Sequence, residues 1–513
     1  MVASLTDAPL DAAEEKTRRF KQLFPLLLMT MGVAALDQQI VNTALPRISA
    51  DLGQLQHLSW VLTAFMLAQT VTMPLYGKLS DLYGRKRLLI ISISIFLAGS
   101  ALCSLSQSMV QLILFRAIQG LGGGGLFTLV SAIIGDFLSP RERGRYSGYT
   151  TAVFAVCTIA GPLAGGLLTS TLGWRAVFWI NLPLAGGVLA MLIAKLPSGG
   201  TRVSHKVDIL GAGLVAVGAV PLLLALSWGG VDHAWSSPLI LGLLTLAVLA
   251  TVALIAQERR APEPILALDL FEDRTMRWGG ATGAIIGFAY FGSIVFLPLF
   301  FQVVAGFSPT QAGMMIVPQI AGNLIASIYG GRRISNTGRY RNAIVAGGIG
   351  LAAFFLILGM LARQAAPIWA VEVCLFFLGL SGNTCILAIN LGVQNAVPLK
   401  RLGAAISSTS FLNALAGSAG IAMAGAIMNR RLQAALTDQG VDPDFARHAI
   451  GKLAAGAHGG IDPHMLEQAY RMAISSAFLV SGLVAGLAIV TALLTPDHAL
   501  RSGEAPGEPA AAH

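Results

Sequence analysis

Three ionisable side chains stand well inside long apolar runs of this 513-residue chain: Asp37, Arg116 and Glu372. A charge in hydrocarbon is costly unless paired or hydrated, so such groups mark ion paths, proton relays or ligand contacts. Asp37 can take and release a proton; burial favours its neutral form, whereas a guanidinium beside it favours the carboxylate. Helical rise puts Asp37 about 9 Å from the nearer end of its run, Arg116 about 10 Å into its own and Glu372 about 8 Å into its own. All three are therefore expected at similar depth in one half of a bilayer. The plainer alternatives are a static Asp37–Arg116 pair that fixes helix packing, and a Glu372 that reaches back to the surface.

These side chains need a scaffold that crosses lipid. The chain is 55% hydrophobic and 12% charged, against roughly a quarter charged residues in soluble domains. Runs of about 20 apolar residues, the length of a hydrocarbon core, recur fourteen times between Leu23 and Leu494. The expected fold class is therefore all-α, a polytopic membrane protein with fourteen transmembrane helices. The opening residues lack an apolar stretch followed by a small-residue cleavage site, so 1–22 is expected to persist as a cytoplasmic tail.

The net charge of +9 does not point to a nucleic-acid partner, because Lys and Arg fall in short clusters between the runs and form no single basic face. They collect in alternate loops, among them Lys78 to Arg87, Arg141 to Arg145, and Arg332 to Arg341, while the opposite short loops hold only Arg47, Arg175 and Arg363. This bias places both termini in the cytoplasm of a protein that crosses the cell's inner (cytoplasmic) membrane many times. The four cysteines lie inside apolar runs and the eight histidines in loops or tails; neither pattern suggests a disulfide framework or a metal site.

A repeat organises the runs. Gly77-Lys-Leu-Ser-Asp81-Leu-Tyr-Gly84-Arg85-Lys-Arg87 is echoed as Gly331-Arg-Arg-Ile-Ser-Asn-Thr-Gly338-Arg-Tyr-Arg341 at an offset of 254 residues, and Pro140-Arg-Glu-Arg143 as Pro398-Leu-Lys-Arg401 at 258. Two six-helix bundles, 23–195 and 258–494, are expected on either side of an inserted helix pair in 196–257. A long external loop is expected at 429–471, with short surface helices around LQAAL and DFARHAIGKLAAGA, and a cytoplasmic tail at 495–513. Arg116 shifted by the repeat lands beside Glu372, its approximate counterpart.

LDQQIVNTALP at 36–46, GKLSDLYGRKR at 77–87, FRAIQGLGGG at 115–124 and GPLAGG at 161–166 follow one another along the chain. With these four stretches the chain resembles the major facilitator superfamily, specifically its fourteen-span drug:proton antiporters, over nearly its whole length. Gln39 stands where the first signature usually has Thr, and Cys157 where the antiporter signature usually opens with Gly. The resemblance implies two six-helix bundles around a central cavity and proton-coupled export of lipophilic or cationic small molecules, that is, multidrug efflux. Uptake of a polar nutrient or metabolite is the alternative.

On this reading Asp37 and Arg116 couple protons, and Glu372 attracts cationic substrate. Gln38, Gln39, Asn42, Trp60, Phe65, Tyr290, Phe291, Gln319 and Asn323 are the candidates for substrate contact, since aromatic rings beside amides suit flat lipophilic cations. Gly77, Asp81, Gly84 and Arg85 with Asp136 are expected to form a gating network between halves, and Gly161, Pro162, Gly165 and Gly166 to limit leakage. The energy source is a proton gradient; no cofactor and no metal are expected. Partners are the small-molecule substrate and membrane lipids, with a periplasmic adaptor protein left open. Gly120 to Gly125 spells G-x-G-x-x-G, but no strand precedes it and it lies within a span, so dinucleotide binding is rejected; no phosphate-binding loop motif occurs. A membrane enzyme or receptor would need a catalytic cluster or a sensing domain, and the sequence offers neither.

Overall fold

The computed structural model describes residues 8–53, 58–196, 208–230, 233–261, 264–438 and 463–501. The first half contains α1 (Ala8–Leu52), α2 (Leu58–Tyr83), α3 (Arg85–Ser104), α4 (Met109–Phe137), α5 (Pro140–Thr171) and α6 (Ala176–Lys195). An inserted hairpin follows, α7 (Ile209–Trp228) and α8 (Pro238–Glu258). The second half contains α9 (Arg274–Val304), α10 (Gln311–Thr337), α11 (Arg341–Arg363), α12 (Ile368–Ala396), α13 (Leu402–Asp438) and α14 (Pro463–Leu494). In lipid a helix satisfies its own backbone, which is why the apolar runs take this form. Their starts are set by side chains: Ser108, Ser139, Asp208, Ser237 and Asp273 each accept from a backbone N–H of the first turn, and Ser139 completes a capping box with Glu142.

Thirteen stretches of the described residues are long and apolar enough to cross a membrane. The remaining expected span, α2, is more polar because it buries Gln69, Thr70 and Thr72, and it packs in the bundle between α4 and α13. Two expected boundaries shift. Helix α1 begins at Ala8, and Phe20 of the expected tail and Phe24 just beyond it meet Tyr146 edge-on with ring centroids 5.1 Å away; the end of the tail is packed helix. Helix α13 runs on to Asp438, because Leu432 and Leu436 of LQAAL are buried in the second half's core. DFARHAIGKLAAGA lies outside the described residues, as do 1–7 and 502–513.

Each half has its own core. In the first, the glycine run on α4 brings three helices together: an added Cβ on Gly120 would stand 2.4 Å from the Phe65 carbonyl oxygen of α2, and one on Gly122 2.4 Å from the Phe96 nitrogen of α3. The G-x-G-x-x-G spelling thus serves close helix packing. The hairpin lies where the halves meet, with Val215 and Ala219 of α7 packed among Val71 of α2 and Phe411 of α13. Along α8, Leu241, Leu246, Val248, Leu249 and Val252 remain exposed, as a lipid-facing helix requires.

Because the Gly122 Cβ position is occupied by backbone, Gly122→Val is expected to force α3 and α4 apart. Overpacking of this kind costs about 1–3 kcal/mol or more; a lowered melting temperature of the purified variant in detergent is the check, and an unchanged one would contradict the packing.

Candidate functional site

In the first half Asp37 and Arg116 form a sealed pair, 0% and 1% exposed. Arg116 Nη1 donates to Asp37 Oδ2 at 2.8 Å and to Gln119 Oε1 at 2.8 Å, while its Nε donates to the Val61 carbonyl at 3.2 Å. The other carboxylate oxygen, Asp37 Oδ1, accepts from Gln119 Nε2 at 2.9 Å and Asn181 Nδ2 at 2.6 Å. Asn181 also donates to Ser100 Oγ at 3.0 Å. The guanidinium lies over the Phe65 ring, 4.2 Å from its centroid. Five helices, α1, α2, α3, α4 and α6, are thereby tied to one carboxylate. All its partners are fixed donors, and the Asn181 carbonyl oxygen is buried without a donor of its own.

The second half holds a neutral counterpart. The Tyr290 hydroxyl of α9 accepts from Gln319 Nε2 at 3.2 Å and Asn323 Nδ2 at 3.4 Å, both on α10, which leaves its own proton to be donated. Phe291 stands edge-on to Tyr290 at 5.9 Å and packs on Gly417 of α13. Glu372 shares a face of α12 with Gly379, which abuts the Gln319 carbonyl of α10. It is partly exposed and has no hydrogen-bond or ion-pair partner among the described residues.

The halves are sewn together at the end that carries the Arg-rich loops. Asp81 accepts from the backbone N–H groups of Gly403 at 3.2 Å and Ala404 at 2.9 Å, a carboxylate seated on the N-terminus of α13, where the helix dipole favours negative charge. Arg85 pairs with Asp81 at 2.5 Å and with Asp136 at 3.1 Å. Gly84 has φ 92° and makes the tight turn into α3, and a Cβ on Gly77 would strike Ser407 of α13. Across the seam, Arg141 donates to the carbonyls of Ser335 and Asn336, and Arg143 to Gln394. The repeated loop makes the mirrored contact: a Cβ on Gly331 would stand 2.0 Å from the Gly144 carbonyl oxygen of α5. Its Ser335, at the place of Asp81, has a buried hydroxyl with no hydrogen-bond partner among the described residues, so a neutral group stands where the first loop carries a carboxylate.

The Major Facilitator Superfamily family model matches residues 27–421. The chain belongs to the Major Facilitator Superfamily. It is 36% identical over 428 residues, 83% of this chain and 78% of the relative, to the multidrug transporter protein MdtP of Bacillus subtilis strain 168. To multidrug resistance protein 3 of the same organism it is 34% identical over 504 residues, 94% and 96% of the two chains. Among solved structures, the human organic anion transporter MFSD10 matches with a TM-score of 0.62 at 17% identity, covering 91% of this chain and 99% of that one. The proton:xylose symporter XylE matches at 0.57 and 15% identity, covering 94% and 97%; these likenesses establish the fold. The protein is a multi-pass membrane transporter of this superfamily.

The structure brings Asp37 and Arg116 into contact and joins Tyr290, Gln319 and Asn323 in one cluster. Phe65 is 1% exposed; it floors the ion pair and is not open to a ligand. Trp60 stands edge-on to Trp228 of the hairpin, with ring centroids 5.2 Å apart. Gln38 receives no charge but donates to Gln69 at 3.2 Å, Gln39 packs on Gly161, and Asn42 is exposed. Gly161 and Gly165 fit α5 onto Gln39, Ile40 and Thr43 of α1 within the same half, whereas nothing approaches Gly166 and Pro162 is exposed. Gln119, Asn181 and Ser100 were missed by counting charges only; Gln119, three residues after Arg116 and hence on the same helix face, carried the available signal.

Removing one member of a buried ion pair leaves the other uncompensated, a loss of about 3–5 kcal/mol, whereas removing both is often near neutral. Arg116→Met is therefore expected to lower the melting temperature in detergent sharply and Asp37→Asn/Arg116→Met to restore most of it. A double variant as unstable as the single one would refute the pairing.

Proposed function

We propose that this transporter exports lipophilic or cationic small molecules from the cytoplasm in exchange for protons, across the cell's inner membrane and with both termini cytoplasmic. The observation that carries the reading is the sealed Asp37 carboxylate, held by Arg116, Gln119 and Asn181. A protonatable group in that place, on helices from most of one bundle, suits a coupling site. The names of the two relatives as multidrug proteins support the substrate class, as do the aromatic and amide groups around Tyr290.

With the Arg-rich end in the cytoplasm, the seam of Asp81, Arg141 and Arg143 closes the inner side, and the chain stands outward-facing. Asp37 takes its proton from the outer side once its shell of Arg116, Gln119 and Asn181 opens. Loss of its charge leaves Arg116 with Gln119, the Val61 carbonyl and the Phe65 and Phe178 rings, so the tie between α1 and α4 weakens and the halves rock toward the inward-facing state. There the proton leaves, the carboxylate recaptures Arg116, and an incoming cation is drawn by Glu372. No cofactor takes part; the proton gradient supplies the energy.

Cells that express Asp37→Asn are expected to lose gradient-driven ethidium efflux, with the residual rate unaffected by a protonophore. Wild-type efflux should collapse on adding the protonophore. Wild-type efflux that ignores the protonophore, or an Asp37→Asn variant that keeps its sensitivity, would sink proton coupling through this carboxylate.

A further inference from the structure

Helix α10 is interrupted by a π-helical turn at Ala326–Gly330. Such a turn holds one residue more than the α-helix around it, and single π-turns are frequent at functional sites. Two carbonyls on its N-terminal side also take side-chain donors from neighbouring helices. The Asn323 carbonyl accepts from Asn383 Nδ2 of α12 at 2.8 Å, and the Ser327 carbonyl from Ser147 Oγ of α5, in the other half, at 3.0 Å.

The same side chains form a line of hydrogen bonds. Asn383 Nδ2 also donates to Ser327 Oγ at 2.7 Å, and Ser327 Oγ meets Thr151 Oγ1 of α5 at 2.5 Å. Asn323, whose carbonyl Asn383 holds, offers its own amide to the Tyr290 hydroxyl. Ser327 is 1% exposed, and water is a poor substitute for its partners. The line therefore runs from Tyr290 in the second half to Thr151 across the seam, and the π-turn lies in its middle.

We propose that Asn383, Ser327 and Thr151 are positioning residues that couple the Tyr290 cluster to the seam, with the π-turn as the two-state element. While the seam is closed, Thr151 and Ser147 hold the turn, and Gln319 and Asn323 face Tyr290. When the halves part, Ser327 loses both α5 partners and the turn reverts to α-helix. One residue of register rotates the Gln319–Asn323 segment by about 100° relative to the helix beyond, so its amides leave Tyr290. A ligand that takes the free Tyr290 proton while the amides are in place favours the closed seam. This functional meaning rests on the export reading above; the coupling itself does not.

The test uses the full-length protein in lipid nanodiscs without substrate or gradient. Spin labels at Arg87→Cys and Lys400→Cys, exposed positions on the two halves, report seam separation, the native cysteines being buried. Thr151→Val is expected to raise the separated population roughly three- to ten-fold, the weight of one neutral hydrogen bond. Tyr290→Phe, at the far end of the line, should raise it likewise, the double variant no further than either single one, and Thr151→Ser should match the wild type. A seam unmoved by Tyr290→Phe, or additive effects in the double variant, would overturn the relay. Absence of ethidium efflux from wild-type cells would instead overturn the export reading and leave these distances meaningful.

Discussion

Lipid offers a buried carboxylate no hydrogen bonds, so everything Asp37 needs has to come from protein. That requirement shapes the first bundle. Arg116 supplies the charge from α4, Gln119 and Asn181 supply neutral donors from α4 and α6, and Ser100 fixes Asn181 from α3. The glycine run on α4 lets α2 and α3 come close enough for Phe65 to lie beneath the guanidinium. Neutralise the carboxylate and Arg116 loses its counter-charge, in a place where water cannot make up the loss.

The two halves share a fold but not a chemistry. The repeated loops place Gly77 and Gly331 against the opposite bundle in the same manner, and Gly84 and Gly338 both turn through positive φ. Charge breaks the symmetry: Asp81 sits on the N-terminus of α13, whereas Ser335 holds the matching place with a neutral hydroxyl. In the same way Asp37 and Arg116 ionise one bundle, and hydroxyls and amides from Tyr290 to Ser327 line the other. The buried ion pair thus belongs to the first bundle, and the cluster around Tyr290 in the second is built from neutral hydroxyls and amides.

The inserted hairpin has a structural consequence for the site. Trp60 faces Trp228, and the Gly230 carbonyl accepts from Asn429 of α13 at 3.0 Å. The hairpin touches both bundles where α2 and α13 meet, and its Trp228 covers one side of Trp60. Nothing in the spacing around Trp60 distinguishes a ring that waits for a ligand from one that packs on a neighbouring helix.

The sequence by itself determined the solvent, the number of spans, the repeat and the ionisable groups. Each of these follows from local composition: apolar length sets a span, and a lone Asp or Arg inside one is visible without any fold. It also located the loops of Gly77 and Gly331, because turns with positive φ and close helix approach leave glycines at fixed places. The amide shell of Asp37, the burial of Phe65, the contact of Trp60 with the hairpin and the π-turn in α10 were decided only by the tertiary structure. Gln119 and Asn181 are 62 residues apart in the chain and meet on one carboxylate only when α4 and α6 pack. A π-turn has the same residues as an α-helix; the side chains that reach it, Asn383 from α12 and Ser147 from α5, come from other helices, and no pattern within α10 records them.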